Sequence, residues 1–180
     1  MFNTLFRFKW LVFALFMSVI LYAVIFRITF NPSISEPRGY YFMYSSKNYK
    51  KGDIVLICLE EYKYIEILHK FRLPFDNNNC GMKTPYLLKT IVASDGDVIV
   101  NNKNGLVING IQQRNSIALD NYNRINLYPL KKRRFKLQIN QFFVLGNTPH
   151  SYDSRYFGII KKEQIQSKAY LIWAKNSPVW

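Results

Sequence analysis

The feature that most constrains the fold is one long apolar run near the amino terminus. Residues Trp10–Phe26 include no charged side chain over 17 positions. As an α-helix this run would be about 26 Å long, close to the thickness of the hydrocarbon core of a bilayer. Arg7 and Lys9 precede the run, and Arg27 follows it. The sequence therefore predicts a transmembrane helix, with the remaining chain folded outside the bilayer.

A cleavable signal peptide is the alternative interpretation of this run. The run is longer than a usual signal-peptide core, and bulky residues within 25–30 occupy the place of a small-x-small cleavage site. We therefore predict a retained signal anchor with a short cytoplasmic stub in residues 1–30, followed by one domain over residues 31–180. The basic residues ahead of the run favour a cytoplasmic amino terminus, whereas Arg27 and Arg38 weaken that contrast.

After the apolar run the pattern becomes that of a mainly β domain. Segment Tyr62–Leu73 allows a short helix, and Phe75–Met82 is typical of a loop. Short apolar runs bounded by turn residues predict strands, and an Asn-Gly turn predicts a hairpin. The predicted strands are Asp53–Leu59, Pro85–Ser94, Gln141–Leu145 and Lys168–Ala174, with a hairpin joining Asp97–Asn101 to Leu106–Asn109.

The net charge of +14 allows three interpretations: nucleic-acid binding, attraction to anionic lipid, or a generally basic composition. The dense basic cluster is Lys131–Arg134, which we interpret as a solvated loop or a membrane-facing patch. No helix-turn-helix, zinc-finger or RNA-recognition pattern accompanies it. We therefore expect no nucleic-acid partner.

The two cysteines, Cys58 and Cys80, lack the spacing of metal ligands, and the chain has only two histidines. We therefore predict no metal site. A domain outside the cytoplasm would allow a disulfide between Cys58 and Cys80, and the alternative is two unpaired thiols.

A candidate nucleophile follows the apolar run directly. Ser35 lies between Pro32 and Pro37, which restrict the backbone on either side. A serine hydroxyl becomes a good nucleophile only when a neighbouring base removes its proton. On local composition alone, Ser33 and Ser35 are better explained as ordinary loop residues beside the membrane.

A candidate base lies on the strand predicted over Pro85–Ser94. Alternation places Lys89 on one face with Leu87 and Ile91. Burial disfavours an ammonium group and lowers the pKa of a lysine, by several units when burial is complete. A neutral amine near pH 7 is a general base. The alternative is a lysine at a sheet edge whose amine reaches solvent.

The third segment is Ser151–Gly158. Read as a strand, it places Asp153 and Arg155 on one face, where they would pair, with Ser151 on the same face. The group would orient the lysine amine or form a purely structural ion pair. The adjacent His150 suggests a Ser-His-Asp triad as a less favoured alternative.

These three segments, in this order behind an apolar anchor, resemble the signal peptidase I superfamily. Asn31–Tyr40 resembles the Asn-x-Ser/Thr-x-Ser-x-Pro-x-Gly-x-Tyr pattern of its TraF-like branch. Lys89–Asp97 resembles the Lys-Arg-Val-hydrophobic-x-x-x-Gly-Asp box, with Thr90 in place of Arg. Ser151–Gly158 resembles the Ser-x-Asp-Ser-Arg-Tyr-aromatic-Gly box. Glu36 stands where housekeeping enzymes have Met, so the resemblance is closest to the TraF-like conjugal transfer peptidases.

The family's Gly-Asp-Asn-Arg stretch is here Gly146–His150, which leaves the approach to the third box one residue shorter. The resemblance implies a signal-peptidase-like antiparallel β domain behind one transmembrane helix. It implies Ser35 as the nucleophile, Lys89 as the base, and Ser33 as a donor to the oxyanion. Support for the base would come from Ser151, Asp153 and Arg155.

The resemblance also implies a cellular role. The substrate would be a membrane-inserted preprotein or pilin precursor of a conjugation or type IV secretion system, processed together with other components of that system. The chain would be a single-pass protein of the bacterial inner membrane with its catalytic domain on the periplasmic side of the lipid bilayer. Housekeeping signal peptidase I is the alternative, and a catalytically inactive assembly component of a secretion machine is a further one. No metal, nucleotide or other cofactor is implied.

Overall fold

The structure is a computed structural model, and it describes residues 2–25, 27–59, 67, 80, 85–122, 124–131 and 133–175. Helix α1 (Phe2–Ile25) contains the predicted apolar run up to its last residue, Phe26, which lies outside the described residues. Side chains from Arg7 to Tyr22 are exposed. Within the part of the chain that the structure describes, none of the helices combines the length and the hydropathy that a membrane crossing requires.

The remainder is mainly β, as predicted, and every strand pairing that the structure describes is antiparallel. The strands are β1 (Ile28–Asn31), β2 (Gly39–Tyr44), β3 (Ile54–Ile57), β4 (Leu87–Ala93), β5 (Val98–Asn102), β6 (Gly105–Ile108), β7 (Ile111–Gln112), β8 (Asn121–Tyr122), β9 (Ile125–Asn126), β10 (Arg133–Lys136), β11 (Gln141–Leu145), β12 (Ile160–Lys161) and β13 (Ile165–Ala174). A second helix, α2 (Ser154–Phe157), follows β11, and a 3-10 turn (Lys162–Gln164) precedes β13.

Within the described residues, one seven-stranded sheet has the order β1-β2-β13-β3-β4-β11-β12. A four-stranded sheet has the order β10-β5-β6-β7, and β8 pairs with β9 in a two-stranded ribbon. The seven-stranded sheet matters most for function, because the β1–β2 loop, strand β4 and the end of β11 all belong to it.

The predicted strands are confirmed. The hairpin from β5 to β6 is present, and Asn109 (φ 50°) and Gly110 (φ 84°) form the turn from β6 to β7. Left-handed backbone at these two positions is what an Asn-Gly pair tolerates best. Apart from Ile67 and Cys80, the predicted helix over Tyr62–Leu73 and the predicted loop over Phe75–Met82 lie outside the described residues.

Two sequence predictions were wrong. Arg133 and Arg134 belong to β10 rather than to a loop, because β10 pairs with the edge of β5, and the interpretation of the cluster as a membrane-facing patch stays a prediction. Ser151–Gly158 is not a strand: Asp153 accepts a hydrogen bond from the Arg155 amide and caps the short helix α2. Aspartate is a preferred residue at a helix N-cap, and Gly158, with φ 84°, ends the helix.

Among the described residues the apolar core has two clusters, and strand β11 contributes to both. Phe142 and Val144 pack into the first cluster, and Phe143 and Leu145 into the second. The alternate residues of β4 are buried in the predicted pattern. Lys89 therefore projects into the interior from a strand with apolar neighbours on the same face.

Cys58, directly after β3, and Cys80 form a disulfide, with their Cα atoms 5.6 Å apart. The sequence left open a disulfide or two unpaired thiols, and the structure contains the disulfide.

Candidate active site

The side chain of Asn31 organises the loop that carries Ser33 and Ser35. Asn31 ends β1, and its Oδ1 accepts the Ser33 amide at 3.1 Å. Its Nδ2 donates to the carbonyls of Ser33, Glu36 and Pro37 at 3.2 to 3.3 Å. The Tyr41 hydroxyl also donates to the Pro37 carbonyl, at 2.8 Å. The Asn31 side chain thus supplies hydrogen bonds to backbone groups of the loop and fixes the loop conformation.

The two serine hydroxyls lie next to each other in this loop. Ser33 Oγ donates to Ser35 Oγ at 3.1 Å and accepts the Ser35 amide at 3.1 Å. Both side chains are half-buried. The Ser35 carbonyl accepts the Asn147 amide at 2.6 Å, which attaches the loop to the segment after β11. The Ser35 hydroxyl is therefore accessible, while its backbone is held in place.

Lys89 is buried in the interior. Only 3% of the residue is exposed, and its Nζ donates to the Leu88 carbonyl at 3.0 Å. Burial lowers the pKa of Lys89 to about 8, from an ordinary value of 10.5. The negative charges of Asp153 and Glu36 oppose this shift, and the positive charge of Arg155 adds to it. A substantial neutral fraction of the amine therefore exists near neutral pH.

Glu36 connects the two candidates. Thr90 Oγ1 donates to Glu36 Oε1 at 2.9 Å. Glu36 follows Ser35 and Thr90 follows Lys89, so this hydrogen bond connects the neighbours of the two candidate residues. No hydrogen bond between the Ser35 hydroxyl and the Lys89 amine is present among the described residues. Glu36, Thr90 and Asn147 thus form a polar cluster that links the Ser35 loop to the strand of Lys89, and the Lys89 amine is turned toward the Leu88 carbonyl.

The Glu36 carboxyl is itself buried, with 1% of the residue exposed. Burial raises its pKa to about 7, and the repulsion from Asp153 acts in the same direction. The hydrogen bonds from Thr90 and the charge of Lys89 oppose that increase. Asn147 Nδ2 donates to the second carboxyl oxygen at 3.2 Å.

Asp153 and Arg155 form a buried bidentate ion pair, which confirms the predicted pairing. Arg155 Nη2 lies 2.7 Å from Asp153 Oδ2, and Nε lies 2.8 Å from Oδ1. Asp153 Oδ2 also accepts the Gly146 amide at 3.0 Å. Arg155 belongs to helix α2. The N–H groups of its guanidinium also donate hydrogen bonds to backbone carbonyls of the surrounding loops. The accepting carbonyls belong to Asn115, Ile117, Thr148, Pro149 and Ser151.

Ser151 lies beside the Ser35 loop. Its Oγ is buried and has no hydrogen-bond partner among the residues that the structure describes. A Cβ on Gly146 would overlap the Ser151 side chain and lie 2.8 Å from the Ser35 carbonyl. Glycine at position 146 therefore permits the close approach of the two loops.

His150 is not part of this cluster. It is exposed and stacks on Tyr122, with ring centroids 4.7 Å apart. Because His150 lies outside the cluster, the less favoured Ser-His-Asp alternative has no geometric support.

Within the described ranges, no group of three or more His, Cys, Asp or Glu side chains is arranged to hold a metal ion.

Comparison with known proteins identifies the family. The model of the family described as "Signal peptidase, peptidase S26" matches residues 4–174. The chain belongs to the signal peptidase S26 family. Membership indicates a serine peptidase of the signal peptidase type, which processes preproteins. A search of curated proteins finds no match.

Among solved structures, the chain is similar to a signal peptidase I from Enterococcus faecalis V583. The two are 20% identical, the match covers 69% of this chain and 98% of that chain, and the TM-score is 0.37. The family match confirms the resemblance to the signal peptidase I superfamily, and the assignment to the TraF-like branch stays a prediction.

Three residues in the site of this S26 member carry little or no signal in the sequence. Asn31 entered only as part of a motif, although Asn two residues before Ser is typical of a side-chain-capped turn. Glu36 was noted only as a departure from the housekeeping pattern. Asn147 had no signal at all, because its partners, Ser35 and Glu36, are more than 100 positions away in the chain.

Proposed function

We propose that the chain is a membrane-anchored serine endopeptidase in which Ser35 is the nucleophile and Lys89 the general base. The observation that carries this proposal is the burial of the Lys89 amine on the strand that the polar cluster links to the Ser35 loop. With a pKa of about 8, roughly one tenth of the amine is neutral at pH 7. A serine hydroxyl and a neutral amine together form the nucleophile and base of a serine–lysine dyad.

In the proposed reaction, Ser35 Oγ attacks the scissile carbonyl carbon and transfers its proton to Lys89 Nζ. The amine must first turn from the Leu88 carbonyl toward Ser35. The unpartnered Ser151 Oγ would accept a hydrogen bond from the turned amine. Lys89 then gives the proton to the leaving amine as the peptide C–N bond breaks. Water, or another amine, resolves the acyl-enzyme.

The oxyanion of the tetrahedral intermediate would be held by the Ser35 amide and the Ser33 hydroxyl. In the structure these two groups are bonded to each other at 3.1 Å. A bound substrate oxygen would replace that internal bond. Loss of one such donor typically costs about 3 kcal/mol of transition-state stabilisation.

We infer further that residues 1–30 are a signal anchor and that residues 31–180 lie on the periplasmic face of a bacterial inner membrane. The uncharged run Trp10–Phe26 and the exposed apolar side chains of α1 support this inference. The disulfide between Cys58 and Cys80 also supports it, because such bonds persist outside the cytoplasm.

The proposed substrate is a pilin-type precursor of a conjugation or type IV secretion system, with other components of that system as further partners. Support comes from Glu36 and Pro37 after Ser35, the arrangement of the TraF-like branch. In that branch the amino terminus of the pilin itself can resolve the acyl-enzyme and give a cyclic product. A housekeeping signal peptidase I is an equal alternative and would release a linear product, which is heavier by one water molecule.

The test is co-expression of candidate precursors with the wild-type chain and with the Ser35→Ala and Lys89→Ala variants. We expect the wild type to process a precursor and both variants to leave it intact, as read by mass spectrometry. Lys103→Ala, which removes an exposed lysine, is the matched control and should process normally. Normal processing by Lys89→Ala contradicts the proposed dyad, and absence of processing by the wild type favours an inactive assembly component.

A further inference from the structure

Three residues that depart from the signal peptidase patterns meet around one carboxyl group. Glu36 stands where housekeeping enzymes have Met, Thr90 replaces the usual Arg, and Asn147 lies in the altered stretch after β11. Thr90 Oγ1 and Asn147 Nδ2 each donate to one oxygen of Glu36, at 2.9 and 3.2 Å. Three separate departures thus form a single hydrogen-bonded group.

This group holds the nucleophile loop at a second point. The Asn147 amide already binds the Ser35 carbonyl at 2.6 Å, and its side chain binds Glu36. Thr90 attaches the same carboxyl to β4, one residue from Lys89. The Glu36 side chain therefore bridges the strand that carries the base and the segment that holds the nucleophile backbone.

The charge of Glu36 also acts on Lys89. The ionisable groups that interact with the Glu36 carboxyl are Lys89 on β4, Asp153 at the start of α2, and Tyr41 on β2. Ionised Glu36 and Asp153 both stabilise the protonated form of Lys89, and Arg155 on α2 opposes them. Of the two acids, Asp153 accepts two hydrogen bonds from the Arg155 guanidinium, whereas the hydrogen-bond partners of Glu36 within the described residues are all neutral.

We propose that Glu36 is a positioning residue of this peptidase, which fixes the Ser35 loop against β4 and holds a carboxyl group at Thr90, the residue next to Lys89. This inference rests on the proposed roles of Ser35 and Lys89. It predicts two separable effects: loss of the hydrogen bonds lowers activity at every pH, and loss of the charge alone moves the pH profile.

The test measures kcat/KM against pH for the purified full-length chain in detergent, with a purified preprotein that has small residues at its cleavage site. Glu36→Gln removes the charge and can keep both hydrogen bonds: its oxygen accepts from Thr90, and its amide group donates to Asn147 Oδ1 once the Asn147 amide turns over. We expect the midpoint of the pH profile to fall by about one pH unit, with a plateau near that of the wild type. Glu36→Met removes the charge and both hydrogen bonds, and we expect its plateau to lie at least about tenfold below that of the wild type. Glu163→Gln, at an exposed site, is the matched control and should leave the midpoint unchanged.

An unmoved midpoint in Glu36→Gln, or a wild-type plateau in Glu36→Met, overturns the inference. If Glu36→Met fails to fold, Thr90→Val takes its place, since it removes one donor at nearly constant shape. Its plateau should fall, and a wild-type plateau overturns the proposed positioning. Ser35→Ala and Lys89→Ala are measured in parallel. Their inactivity together with an unmoved Glu36→Gln midpoint refutes only the role of Glu36, whereas their activity refutes the proposed function itself.

Discussion

At the scale of single residues, the environment of Lys89 determines the chemistry. Its amine lies in the interior and has one carbonyl partner, so the charged form lacks most of the hydration it has in water. Two acidic neighbours keep the pKa from falling further. The balance leaves the pKa at about 8, where both protonation states are accessible to an enzyme working near neutral pH.

The first prediction concerns the pH dependence of activity. The neutral amine is the base, and the pKa of Lys89 is about 8, so kcat/KM should rise about tenfold per pH unit below pH 8 and level off above it. Initial rates of preprotein cleavage between pH 6 and 9 measure this profile, with circular dichroism as a check on folding. A profile that is flat, or that falls toward pH 9, contradicts the assignment of Lys89 as the base.

The second prediction concerns stability. Between pH 8 and 10.5 the unfolded chain binds a proton at Lys89 that the folded chain does not, so this group makes the folded state more stable as the pH rises. The contribution is on the order of 3 kcal/mol across that window. Lys89→Met removes the amine at similar volume and should abolish the increase. Urea unfolding at several pH values measures both chains, and parallel pH curves would show that Lys89 is not buried as described.

At the scale of elements, the site depends on how closely three segments approach one another. The β1–β2 loop, strand β4 and the segment after β11 meet where Glu36 and the Ser35 carbonyl receive their hydrogen bonds. Gly146 lies at this meeting point, and it has no room for a side chain. The geometry of the nucleophile therefore depends on a backbone contact as well as on the reactive side chains.

The third prediction tests that contact. Gly146→Ala would force the Ser151 side chain and the Ser35 carbonyl apart, so we expect a loss of about 1–3 kcal/mol in stability together with a large loss of cleavage activity. Gly110→Ala is the control: its φ is 84° and no atom lies near its Cβ position. That variant should lose about 1 kcal/mol and keep its activity. Equal activities of the two variants contradict a role for the close approach.

The elements also show what can be predicted from the sequence. Apolar alternation correctly predicts β4 and the buried face that includes Lys89, and the apolar run correctly predicts β11. The strand expected over Ser151–Gly158 is wrong because the capping bond of Asp153 outweighs the local pattern. The burial of Glu36 has no local signal, since its partners lie 54 and 111 positions away in the chain. Predicting it requires knowing which loops meet.

At the scale of the whole molecule, the proposed anchor leads directly into the site. Helix α1 ends at Ile25, β1 begins at Ile28, and Ser35 follows in the next loop. If α1 is inserted in a bilayer, the nucleophile lies ten residues along the chain from the end of the membrane helix. This arrangement suits substrates that are themselves inserted in the membrane.

The fourth prediction tests the proposed topology. Protease added to intact spheroplasts should degrade the domain over residues 31–180, because the proposal places it on the periplasmic side. Immunoblotting against the carboxyl-terminal domain reads the result, and a cytoplasmic protein in the same sample must remain intact. If the domain is degraded only after the membrane is dissolved, it lies in the cytoplasm, and the proposed location is contradicted.

The most direct test of the central claim is the titration of the Lys89 amine itself. Nuclear magnetic resonance of the full-length chain, labelled with 13C at lysine Cε, follows the chemical shift of each lysine as the pH changes. The signal that is missing from the spectrum of Lys89→Ala belongs to Lys89. The account predicts that the Lys89 signal titrates with a pKa of about 8. A pKa near the ordinary lysine value of 10.5 would show a solvated ammonium, which cannot activate Ser35.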